Sequence, residues 1–269
     1  MMFRRRVAAL LLMLGMPLMS PLCAQVVVPD DDYAADPVGI VEKPCVFHPA
    51  PIDDKTKAAW RLHLATRDFG GLCRYAADDA RLIAAKTPVR IVFLGDSITE
   101  GWAQKDPALF QNGVVGRGIG GQTTPQMLVR FRQDVIDLHP KAVHIMAGTN
   151  DIAGNTGAAT MATVTGNIRS MAELAKANGI RVVIASVPPA AAFPWAKDKQ
   201  PTPQIAAINA WAKGYAAANG FQWVDYHPVL ATTAGAMKPG LASDGVHPTE
   251  AGYAAMRPVA LAAIARATR

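Results

Sequence analysis

Short apolar runs alternating with helix-period segments confine this 269-residue chain to very few folds. Residues 91–94, Ile-Val-Phe-Leu, are β-branched and aromatic without a polar break, the mark of a strand buried on both faces. Residues 114–115, 142–147, 181–187 and 221–226 repeat that character further along. Between them Thr124-Pro125 opens a helix, with Leu128, Phe131, Val135 and Leu138 on one face and Pro140 ending it. A second helix carries Met161, Val164, Ile168, Met171 and Ala175 on one face and stops at Asn178-Gly179. Ile205, Ile208, Ala212 and Tyr215 mark a third, and Thr249 begins a last one that Pro258 is expected to kink. Strand–helix alternation of this kind predicts right-handed crossovers and a parallel sheet covered on both faces. No internal repeat is visible.

The N-terminus has a different character. Arg4, Arg5 and Arg6 precede an apolar run over residues 7–19 that is too short to span a bilayer, so residues 1–24 read as a signal peptide. Leu22 before Cys23 argues against lipid attachment, and no later segment is long and apolar enough for stable membrane insertion. The expected product is exported, periplasmic or secreted. Losing the three arginines and no acid takes the formal net charge from +6 to +3, with no basic cluster and hence no nucleic-acid footprint. Cys45 and Cys73 are then an even pair in an oxidising compartment, read as a disulfide, with two separate buried thiols as the alternative. Residues 25–86 form an N-terminal extension: a Pro- and Asp-rich arm to about residue 50, then helical segments interrupted at Gly70-Gly71. Residues 87–269 make one α/β domain.

In parallel sheets ligands bind beyond the carboxyl ends of the strands. Ser97, Gly121, Asn150 and the segment around Asp244 all follow expected strands and should therefore gather at one edge. Ser97 comes directly after Gly95-Asp96, where it is either a helix cap or a nucleophile beside helix N–H groups. Asp244 stands three residues before His247, a spacing that lets the carboxylate bond the imidazole and fix its tautomer. Residues 116–121 also match G-x-G-x-x-G, but they follow the second strand. The acids about twenty residues on, Asp134 and Asp137, fall in or at the end of a helix, so no dinucleotide cofactor is expected. His48, His63, His139, His144 and His227 are scattered without ligand spacing, so no metal is expected; His144 reads as a hydrogen-bonded core residue.

Gly95-Asp96-Ser97, Gly118-Ile119-Gly120-Gly121, Gly148-Thr149-Asn150-Asp151 and Asp244-Gly245-Val246-His247-Pro248 occur in order after successive strands. Together they resemble the four sequence blocks of the SGNH/GDSL hydrolases, over roughly residue 90 to the C-terminus. The resemblance implies a three-layer α/β/α, flavodoxin-like fold and cofactor-free serine hydrolysis of acyl esters. By motif, Ser97 would be the nucleophile, His247 the base and Asp244 its orienting acid. The N–H of Ser97, Gly121 and the Asn150 amide would form the oxyanion hole. Trp102, just past Ser97, and Phe193 and Trp195 in a Pro-rich loop are candidates for substrate contact; the two loop aromatics either wall the site or pack the loop down. The expected substrate is a small-molecule or glycan ester with a short acyl group, acetyl first. The rivals are a lysophospholipase or thioesterase, a glycan O-acyltransferase on the same triad, and a flavodoxin-like binding protein with no turnover.

Overall fold

Five strands, β1 (Ile91–Gly95), β2 (Val114–Gly118), β3 (Ala142–Met146), β4 (Arg181–Ala185) and β5 (Gln222–Val224), make one parallel sheet in the order β2-β1-β3-β4-β5. The computed structural model describes residues 38–45 and 54–269. The expected signal peptide at 1–24 lies outside the described residues, as does the expected arm apart from 38–45. Among the described residues no helix is long and apolar enough to cross a membrane.

β1 and β3 are buried along their whole length, as strands covered on both faces must be. The helices are α1 (Asp54–Thr66), α2 (Ala76–Ala84), α3 (Ser97–Lys105), α4 (Thr124–Asp134), α5 (Thr149–Ala153), α6 (Met161–Ala177), α7 (Pro201–Asn219), α8 (His227–Leu230) and α9 (Glu250–Ala267). The step from β1 to β2 runs one way along the sheet, and the later crossovers run the other way. Right-handed connections therefore put α3 on one face and α4, α6 and α7 on the opposite one. α9 joins α3: the Trp102 and Tyr253 rings stack at 5.6 Å, and Tyr253 donates to Ile98 O at 2.7 Å. Three layers result, with the reversal of direction falling between β1 and β3 at their carboxyl ends, where such sheets bind ligands.

β2 is longer than residues 114–115 because glycine permits it. A Cβ on Gly118 would lie 2.1 Å from Glu100 N, so β2 packs against the backbone of α3 only without a side chain there. α9 continues helically through Pro258. His144 is a buried core residue, stacked on Phe93 and bonded through Nε2 to the Tyr226 hydroxyl at 3.0 Å, and burial pushes its pKa down to about 3.

The segment ahead of β1 is fastened to the sheet. A disulfide joins Cys45 to Cys73, 28 residues apart, a span worth roughly 3–4 kcal/mol in the chain-entropy view. Tyr75 donates to Gly118 O at 2.5 Å. The buried Arg117 guanidinium reaches Asp79 through Nε at 2.9 Å and Asp78 through Nη2 at 2.8 Å, both acids on α2. Gln122, Gln126 and Gln133 donate to the carbonyls of Gly70, Phe69 and Leu72.

Candidate active site

β1 ends at Gly95 and the chain enters α3 at once. Asp96 is the helix cap, its Oδ1 accepting Ile98 N–H at 2.9 Å, so the capping role open to Ser97 falls to its neighbour. Ser97 is the first helical residue, where backbone N–H groups have no intrahelical acceptor and face the positive end of the dipole.

The segment that follows α8 brings His247 to the same place. Ser97 Oγ and His247 Nε2 are 2.9 Å apart, and His247 Nδ1 is 2.7 Å from Asp244 Oδ2. Asp244 Oδ1 also accepts Val246 N–H at 3.0 Å and His247 N–H at 2.8 Å, closing an Asx-type turn that fixes the imidazole relative to its acid. Burial pushes the Asp244 carboxyl up, but the donors of His247 and Val246 outweigh it and hold it below the usual carboxylate range. An ionised Asp244 requires the proton on Nδ1, which leaves the Nε2 lone pair facing the Ser97 hydroxyl.

Gly121 and Asn150 flank this pair. Gly121 sits in the left-handed region at φ 77°, and among the described residues no acceptor bonds its N–H. Asn150, in α5 after β3, is buried; its Nδ2 donates to Gln122 O at 3.0 Å and lies 3.4 Å from Asp96 Oδ2. Neighbouring Asp151 accepts Thr124 N–H at 2.9 Å and the Thr124 hydroxyl at 2.6 Å, tying α5 to the start of α4.

Of the three aromatic candidates, one reaches the site. Trp102 is fully buried, because Ile98 and Trp102, four residues apart on α3, form that helix's inward face. It stands edge-on to Phe93 and stacks on Tyr253, so it contacts core and not substrate. Phe193 is also fully buried and lies under Trp195, ring centroids 5.2 Å apart and nearly parallel. Trp195 is 43% exposed, and its ring centre lies 5.5 Å from that of His247. A cleft of about 450 Å³ lies at the amino ends of β4 and β5, against Ile180 and Phe221, away from this edge.

Side chains beneath the site had no obvious sequence signal. Arg130 is fully buried, donating to Gly95 O at 2.9 Å, Arg117 O at 2.8 Å, Gln122 Oε1 at 2.6 Å and Asp134 at 2.7 Å. It thereby joins the ends of β1 and β2 under the Ser97 turn and the glycine loop. Glu100 accepts Gly120 N–H at 2.9 Å and pairs with Arg74 at 3.1 Å.

Burial, reinforced by the Asp151 charge, pushes the Asp96 carboxyl up to about 6, against the pull of Ile98 N–H and His247. A folded pKa above the ordinary 3.8 means stability that is complete below pH 4 and lost as pH rises through 6. Asp96→Asn is expected to remove that dependence. Chemical denaturation should show the parent losing about 2 kcal/mol relative to the variant between pH 4 and 7. A difference that does not change with pH would contradict the assignment.

A parallel sheet covered by helices on both faces carries a hydrogen-bonded Ser–His–Asp series at its carboxyl edge, an arrangement suited to attack by a serine hydroxyl. The chain belongs to the GDSL-like lipase/acylhydrolase family, whose pattern matches residues 93–255, and is an ester hydrolase. An acylhydrolase-assigned protein of Bacteroides fragilis NCTC 9343 is 47% identical in sequence. Its crystal structure superposes with a TM-score of 0.71, covering 75% of this chain and 99% of that one. A GDSL-like lipase of Bacteroides thetaiotaomicron VPI-5482 is 48% identical, with a TM-score of 0.70 over 74% of this chain and 99% of that one. An uncharacterised lipoprotein of Bacillus subtilis, YqeF, is 40% identical over 78 residues, 23% of this chain and 32% of that protein's length. The chain thus spans about a third of this curated relative.

Proposed function

We propose that this chain is an exported serine esterase that removes short acyl groups, acetyl first, from polar alcohols such as sugars. The observation that carries the reading is the Ser97–His247–Asp244 series, with contacts of 2.9 and 2.7 Å at an accessible edge. In this reading Ser97 Oγ attacks the acyl carbon while its proton passes to His247 Nε2. The carbonyl oxygen gains negative charge facing the N–H groups of Ser97 and Gly121 and the Asn150 amide. Collapse breaks the ester C–O bond, and the imidazolium gives its proton to the departing alcohol oxygen. A water then loses a proton to His247 and attacks the acyl-serine, releasing the acid and restoring Ser97. Asp244 orients the imidazole throughout and stabilises its charged form.

The exposed face of Trp195 beside His247 favours a sugar ring on the alcohol side of the ester. Export is supported by the Cys45–Cys73 disulfide and the character of residues 1–24. A series of chromogenic esters tests the acyl preference. A long-chain pocket would gain about 0.8 kcal/mol per buried CH₂, so efficiency would climb with length. Here kcat/KM should peak at acyl groups of about two to four carbons and then fall. Trp195→Ala should lower kcat/KM for an acetylated oligosaccharide about tenfold more than for a small acetyl ester, since the small ester does not reach the indole. A profile rising through eight carbons or more would overturn the proposal and point to a lysophospholipase or thioesterase.

A further inference from the structure

One side chain that the proposed chemistry does not use is where three loops meet. Asn155 follows α5, and Gly154, in the left-handed region at φ 78°, turns the chain so that Asn155 N–H reaches Asn150 O at 3.1 Å. The Asn155 carboxamide then bonds to three partners from separate parts of the chain. Its Nδ2 donates to Asn150 Oδ1 at 2.9 Å and to Gly121 O at 3.0 Å, and its Oδ1 accepts Trp195 Nε1–H at 3.2 Å. Asn150 and Gly121 are the two proposed partners of Ser97 in the oxyanion hole. Trp195 is the exposed ring beside His247.

A carboxamide has a donor end and an acceptor end, and exchanging them costs the bonds at both. For Asn150 the acceptor end is held by Asn155, while the donor end faces Gln122 O and Asp96 Oδ2. A flipped Asn150 would oppose oxygen to oxygen on one side and nitrogen to nitrogen on the other. Without Asn155, half of that constraint is gone. The same side chain holds the Gly121 carbonyl, limiting rotation of a residue whose backbone has no Cβ to restrain it. Asn155 is exposed, so water competes for each of these bonds. A ligand ring lying on Trp195 would displace that water and strengthen them, since hydrogen bonds gain in a drier setting.

We propose that Asn155 is a positioning residue that holds Gly121 and the Asn150 carboxamide in place, and that its bond to Trp195 lets a ligand on the indole face tighten the oxyanion hole. The proposal rests on the serine-esterase reading of this site. It makes alcohol-side contacts act on kcat and not only on KM, because the tightened donors matter most when the carbonyl oxygen carries charge.

The test is steady-state kinetics of the full chain with p-nitrophenyl acetate and an acetylated xylo-oligosaccharide. Asn155→Ala should lower kcat about tenfold or more on both esters, with KM changed less than about twofold and the thermal midpoint unmoved. Asn155→Asp, which keeps the acceptor for Trp195 but opposes oxygen to Asn150 Oδ1 and Gly121 O, should lose more kcat than alanine does. Trp195→Phe, which keeps an aromatic ring but no N–H, should lower kcat for the oligosaccharide about fivefold and for p-nitrophenyl acetate little. Combining it with Asn155→Ala should add no further loss. If Asn155→Ala fails to fold, Asn155→Ser and Trp195→Phe are read the same way. Values of kcat within twofold of the parent, a loss confined to KM, or losses that multiply in the double variant would overturn the proposal. Its failure is distinct from that of the serine-nucleophile reading beneath it, which falls if Ser97→Ala retains turnover of p-nitrophenyl acetate.

Discussion

Ser97→Ala is expected to lower kcat for ester hydrolysis by a factor on the order of 10⁴–10⁶ while the protein stays folded. The size follows from the proposed role: without Oγ no acyl-serine forms, and His247 has no hydroxyl from which to take a proton. The preserved fold follows from the cap. Asp96, not Ser97, accepts Ile98 N–H at the start of α3, so removing one partly exposed hydroxyl should move stability by no more than about 0.5 kcal/mol. A serine-directed phosphonate should add once to the parent and not to the variant. Turnover near the parental level would show that Ser97 is not the nucleophile.

Arg130→Met is expected to cost about 3–5 kcal/mol of folding stability, measured by urea unfolding. The guanidinium is fully buried and neutralises an equally buried Asp134, 2.7 Å away. Methionine fills similar volume but leaves that carboxylate without its partner, along with the carbonyl of Arg117 and the side chain of Gln122. Adding Asp134→Leu should recover part of the loss, because no orphaned charge then remains. Activity of the single variant should also fall, since Arg130 holds Gly95 O directly before the Ser97 turn. A loss under about 1 kcal/mol would contradict this account.

The two variants differ in how readily their residues can be read from the sequence. Ser97, Gly121 and Asn150 come within a few residues of apolar strands and the strand-end rule collects them at one edge without any side-chain geometry, whereas Asp244 lies beyond both the short β5 and α8. Arg130 and Asp134 look like an ordinary surface ion pair at i,i+4; their burial depends on how α4 lies across the ends of β1 and β2. Proximity in sequence to Ser97 suggests substrate contact for Trp102, but its spacing of four from Ile98 marks the core-facing stripe that the structure shows. Phe193 and Trp195 are two apart in an irregular loop, where nothing local says which ring turns inward. Asn155 follows an ordinary Gly at the end of a five-residue helix. Its role depends on contacts with two loops distant in sequence, which no periodicity encodes.

The charge on Arg117 bears on how far this enzyme can be shortened. Its guanidinium is buried in β2, yet both counter-charges, Asp78 and Asp79, belong to α2, ahead of the first strand. A fragment trimmed to the matched region at residue 93, or to residue 87 a few positions before β1, would keep the cation and discard both anions. It would also remove Tyr75 from Gly118 O and the carbonyl that holds Gln122. These contacts predict that the smallest autonomous folding unit begins upstream of the matched stretch, so a library of N-terminal deletions should lose soluble expression before it reaches any residue of the active edge.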